Sequence, residues 1–68
     1  MKISARNVLE GTVTDIKKGS TTSHVTIDVK GLVVTASITN ESIDDLDLKV
    51  GAPVKAVIKS SDVMVAVD

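Results

Sequence analysis

Sixty-eight residues hold one domain, and this chain has no cysteine, no aromatic side chain, one proline and one histidine. Disulfide staples are thereby excluded, and a zinc framework has no ligand set. Eight Lys+Arg against nine Asp+Glu give a formal net charge of -1, without the basic excess that holds nucleic acid by counterion release.

The chain-order reading is β almost throughout, with Val and Thr dominating. A first strand is predicted from about Ala5 to Ile16, with Gly11 mid-strand marking a bulge or a sharp coil of the sheet. Lys17 to Thr22 reads as a polar turn. The second strand, Ser23 to Lys30, alternates: Val25, Ile27 and Val29 share one face, and His24, Thr26 and Asp28 share the other. Gly31 turns the chain into a third strand, Leu32 to Thr39, with Val34, Ala36 and Ile38 on its apolar face.

The period then changes. Ile43 and Leu46 lie three apart behind Asn40, a residue able to cap a helix, with acidic residues in the first turns. A helix of at most two turns is expected. Gly51-Ala52-Pro53 separates it from a fourth strand, Val54 to Ser60, and Ser61-Asp62 turns into a fifth, Val63 to Val67. The order β-β-β-α-β-β with a long coiled first strand predicts an all-β fold: a small five-stranded OB-like Greek-key barrel with one short helix between strands 3 and 4.

So small a chain buries only about 60% of the surface its unfolded form exposes, and the large aromatic contributors to a core are missing. The last strand is apolar on both faces, and Val57 interrupts the polar face of the fourth. Both features predict packing against further subunits. No apolar stretch reaches membrane-spanning length, and Met1 to Arg6 lack the apolar region of a signal peptide, so a cytoplasmic location with no membrane partner is expected.

Catalytic chemistry finds little support. His24 sits on a polar strand face without an evident orienting partner, no glycine-rich loop precedes a helix, and Asp44-Asp45 reads as a solvated helix face. A non-enzyme is expected. An OB module for nucleic acid stacks bases on aromatic side chains in a basic groove, and this chain has no aromatic and a single arginine, Arg6. What remains is a set of small donors beside isolated cations: Ser4 and Arg6 opening the first strand, Thr39 closing the third, Lys59 and Ser60 closing the fourth. Each alone reads as a cap, a turn hydroxyl or an exposed lysine. Together they suggest an oxyanion pocket built wholly of donors.

The stretches Ser4-Ala5-Arg6-Asn7, Lys17-Lys18-Gly19, Thr35-Ala36-Ser37-Ile38-Thr39-Asn40-Glu41-Ser42, Ala56-Val57-Ile58-Lys59 and Val65-Ala66-Val67-Asp68 resemble a molbindin. That is the Mop family of small molybdate-binding proteins, related to the TOBE domains of molybdate transporters and regulators. The similarity spans residues 1–68 as a single Mop domain. It implies a cytoplasmic homohexamer, a trimer of dimers, holding molybdate or tungstate at subunit interfaces for molybdenum storage or homeostasis, with no organic cofactor. Carried over residue by residue, it implies Ser4, Arg6, Thr39, Lys59 and Ser60 as the oxyanion-binding set. The family's second class of site, near the symmetry axis, has the Gly19 to Ser23 turn and Asn40 to Ser42 as candidate contributors. The competing classes are an OB-type nucleic-acid-binding module and a purely structural oligomerisation module.

Overall fold

The structure, a computed structural model, describes residues 1–68. Four strands form one antiparallel sheet: β1 (Asn7–Lys18), β2 (Thr22–Val29), β3 (Leu32–Thr39) and β4 (Pro53–Ile58), in the order β3-β2-β1-β4. A helix, α1 (Asn40–Asp45), follows β3. No helix is long and apolar enough to cross a membrane.

β1 organises the sheet. Asn7 to Thr12 pair with Ile58 to Pro53 of β4, and Thr12 to Lys18 pair with Asp28 to Ser23 of β2. Thr12 alone is paired on both sides, so β1 passes from one neighbour to the other at this point. Gly11 permits it: a Cβ there would stand 2.5 Å from the Asp28 carbonyl oxygen and 2.7 Å from Ile27 Cγ2. Of the two roles open to Gly11, it serves the close approach. The bulge lies three residues on, where Val13 faces Ile27 but Asp15 faces Thr26. Thr14 is the extra residue, and its hydroxyl donates to the Thr26 carbonyl at 3.3 Å. The insertion resets the alternation, so that Val13 and Ile16 both point inward.

On β2, Val25, Ile27 and Val29 are buried, as their spacing predicts, and they pack with Val13, Ala56 and Ile43. Ile43 is the residue through which α1 closes one end of the core. Beyond the helix, the returning loop is pinned to β1 by Val13 N–H donating to the Ala52 carbonyl at 3.0 Å and by Gly51 N–H donating to the Val13 carbonyl at 2.7 Å.

Two expectations are corrected. The helix cap is Thr39 rather than Asn40: the Thr39 hydroxyl accepts the Ser42 N–H, because the Asn40 side chain is drawn to the β1–β2 turn. The fifth strand does not form. β4 stops at Ile58, Ser60–Asp62 make a 3₁₀ turn, and Val63 to Asp68 run on without strand pairing. The fold is therefore mostly β, a four-stranded antiparallel sheet with one short helix after its third strand, and the barrel is not closed.

The reason is geometric and energetic. Between the free edges of β3 and β4 lies an open apolar groove of about 1280 Å³, lined by Ile27, Val34, Ala36, Ile38, Val54 and Ile58 among others. Met64, Val65 and Val67 meanwhile stand 93%, 90% and 92% exposed. One chain has no second surface against which a strand apolar on both faces can be covered. The dimensions agree. The radius of gyration is 12.7 Å, where a compact domain of this length has about 11 Å. The accessible surface is 5433 Å², where a compact monomer of 7.1 kDa exposes about 4,100 Å².

Candidate oxyanion site

Of the five candidate residues, the sheet gathers three at one corner and carries a fourth beside them. Asn7 pairs with Ile58, and its side-chain amide donates to the Ile58 carbonyl at 3.2 Å. Arg6 immediately precedes this pair and Lys59-Ser60 immediately follow it, so the first residue of β1 and the last of β4 bring both cations to the same sheet end. Ser4 lies two residues before Arg6, on the exposed bend that enters β1. All four side chains face solvent.

The corner carries two cations outside the chain's ion pairs, with Asp62 the acid of the adjoining 3₁₀ turn. The chain's ion pairs are Lys18 with Asp44 and Lys49 with Asp47, each 3.9 Å, and neither Arg6 nor Lys59 takes part in one. Donors accompany them. Ser60 opens the 3₁₀ turn, whose own hydrogen bonds begin with Asp62 N–H donating to the Lys59 carbonyl at 2.9 Å. The N–H groups of Ser60 and Ser61 thus have no partner within the turn. Guanidinium, ammonium, hydroxyls and backbone N–H groups make a set with nothing but donors to offer an anion. No cluster of His, Cys, Asp or Glu capable of holding a metal cation is present.

Thr39 stands apart. It pairs with Thr22 at the far end of β3, level with the end of β1, where Lys18 faces Ser23. The twelve residues of β1 separate it from Arg6 and Lys59. One chain therefore brings Ser4, Arg6, Lys59 and Ser60 to one sheet end and leaves Thr39 at the other. Around Thr39 lies a polar node with no signal in the sequence beyond small hydroxyl residues: Ser23 donates to the Asn40 side-chain oxygen, and the Asn40 amide donates to the Gly19 carbonyl at 3.1 Å. His24 is exposed on β2 and faces Lys17 and Ser37, with no arrangement for catalysis about it.

Comparison with known proteins defines the class. The family model of the TOBE domain matches residues 3–65. The chain is 48% identical over 66 residues to molybdenum-pterin-binding protein 3 of Clostridium pasteurianum, covering 96% of this chain and 97% of that protein. It superposes with a TM-score of 0.94 on a molybdate-binding protein from Sporomusa ovata, at 44% identity over 97% of this chain and 98% of that one. It also matches the cytoplasmic molybdate-binding protein ModG in a form with molybdate bound, with a TM-score of 0.90 and 42% identity, over 94% of this chain and 46% of that one. These matches define a small non-catalytic binding module. The chain belongs to the Mop branch of the TOBE-domain family, the molbindins.

Proposed function

We propose that this chain binds molybdate, and tungstate, reversibly at the interfaces of a cytoplasmic homohexamer arranged as a trimer of dimers, serving molybdenum storage or homeostasis. The observation that carries the reading is the pair of cations outside the chain's ion pairs, Arg6 and Lys59, brought to one corner by the Asn7–Ile58 pairing. The relatives named for molybdate and molybdenum-pterin binding support the choice of ion.

Molybdate is a tetrahedral dianion that only accepts hydrogen bonds near neutrality, so an all-donor shell suits it. Arg6 supplies a forked cation, Lys59 a second charge, Ser4 and Ser60 hydroxyls, and Thr39 a hydroxyl from a neighbouring chain. A charge-assisted hydrogen bond contributes about 1.5–3 kcal/mol. Two or three of these, with neutral donors beside them, work against association costs of several kcal/mol. Sulfate shares the charge and the shape, so discrimination rests on size: a smaller ion cannot reach every donor and leaves some unpaired.

Assembly completes the fold in the same step. The Val63 to Val67 segment of one chain, laid in the groove between β3 and β4 of another, supplies the fifth strand and closes the OB barrel. It covers the exposed tail and satisfies two free sheet edges. The surface excess of roughly 1,300 Å² over a compact monomer is of the size that a stable interface removes.

The test is a calorimetric titration of the purified protein with molybdate, tungstate, sulfate and a short oligonucleotide. Binding of the two larger oxyanions, weaker sulfate binding and no oligonucleotide binding are expected. Salt-sensitive oligonucleotide binding with indifference to molybdate would make this a nucleic-acid module, and stable oligomers that bind neither would make it a structural one.

A further inference from the structure

The fold buries one polar side chain completely, Ser23, at 0% exposure. Its hydroxyl donates to the Asn40 side-chain oxygen. The other arm of that amide donates to the Gly19 carbonyl at 3.1 Å, and the Asn40 backbone N–H donates to the Thr21 carbonyl at 2.9 Å. Gly19 N–H in turn closes on the Thr22 carbonyl at 2.8 Å. A single residue at the start of α1 thus grips the β1–β2 turn from three directions, across 17 and 21 positions of sequence.

Closing the turn does not need this. The Gly19–Thr22 bond already does so, and an alanine in place of Ser23 would avoid desolvating a hydroxyl. Buried polar networks of modest net stability are useful for fixing one geometry among several. The residue fixed here is Thr39, directly before Asn40. It is held by its pairing with Thr22, by Ser42 N–H donating to its hydroxyl at 3.1 Å, and by Ser42 Oγ at 2.8 Å.

We propose that Ser23 and Asn40 are positioning residues that set the size selectivity of the oxyanion site. They hold the Thr39 hydroxyl rigidly against the end of β1, so that the shell cannot contract onto a smaller tetrahedral dianion. The inference rests on the reading that Thr39 contributes a donor to that site. Removing the network leaves the charges of Arg6 and Lys59 in place but lets the Thr39 segment follow a smaller ion inward. Affinity for the large oxyanion falls, and the preference over the small one falls with it.

The experiment titrates molybdate and sulfate into the assembled wild-type protein and three variants. Ser23→Ala cuts the network at its root, and Asn40→Ser cuts both arms from a partly exposed position that does not threaten the core. Val13→Ala is the control, since it loosens the core of β1 without touching the turn. The molybdate-over-sulfate affinity ratio is expected to fall about tenfold in Asn40→Ser and Ser23→Ala, the scale of one misplaced hydrogen bond, and to be kept in Val13→Ala below its melting temperature. An unchanged ratio in Asn40→Ser, or an equal fall in Val13→Ala, would overturn the positioning role. Failure of the wild type to take up molybdate would instead overturn the binding reading itself, and this inference with it.

Discussion

Replacing Gly11 by alanine tests the close approach of β1 to β2 at the point where β1 changes neighbour. The added methyl carbon would lie 2.5 Å from the Asp28 carbonyl oxygen, 2.7 Å from Ile27 Cγ2 and 3.0 Å from Val29 Cγ2, where ordinary contact begins at 3.4 Å. The nearest atom is backbone in the neighbouring strand, so no rotamer change relieves it, and β1 and β2 must part by close to an ångström. Overpacking of this kind costs about 1–3 kcal/mol, here toward the upper end, and reduced freedom of the unfolded chain returns about 0.4–1 kcal/mol. A net loss of about 2 kcal/mol lowers the melting temperature of a domain this size by roughly 8–16 °C. Far-ultraviolet circular dichroism on heating measures it, with both proteins at the same protomer concentration because any self-association makes the melting temperature concentration-dependent. A melting temperature within 2–3 °C of wild type (about half a kcal/mol at this size), or above it, would refute the argument that β1 and β2 meet here without room for a side chain.

Three further outcomes follow from the same geometry. Arg6→Ala, with the assembly intact, weakens molybdate binding by about 2–3 kcal/mol, the worth of a lost charged hydrogen bond; unchanged affinity by calorimetry would remove Arg6 from the site. Lys30 adopts φ 51° beside Gly31 at φ 90° in the β2–β3 turn, so Lys30→Asn, giving the Asn-Gly pair that such hairpins favour, raises stability by about 1 kcal/mol in a denaturation series; a neutral or destabilising result contradicts the left-handed turn. Truncation after Asp62 removes the segment assigned to the fifth strand, and sedimentation is expected to find dissociated chains; an unaltered oligomer would place the interface elsewhere.

What could be read in advance divides along a physical line. The inward faces of β2 and β3 were plain, because alternation of Val25, Ile27, Val29 and of Val34, Ala36, Ile38 is a local property of each strand. The bulge at Thr14 was not, since a bulge is a mismatch in count between two strands and neither alone contains it. Thr39 took the capping role from Asn40 because a contact 21 residues away claimed the asparagine. The fifth strand fails for the same reason at larger scale: Val63 to Val67 have the composition of a strand, but one chain offers them nothing to cover both faces. The cations and hydroxyls of the candidate site were visible as residue types at strand ends. Their division between the Arg6–Lys59 corner and the distant Thr39 end emerges only from the register of β1 with its two neighbours.

Native mass spectrometry of the purified protein, with molybdate supplied and then exchanged away, tests assembly and ligand together. The account predicts six-chain particles whose mass rises by whole numbers of molybdate ions and falls again on exchange. Single chains that remain folded and carry no added mass at any molybdate concentration would contradict it.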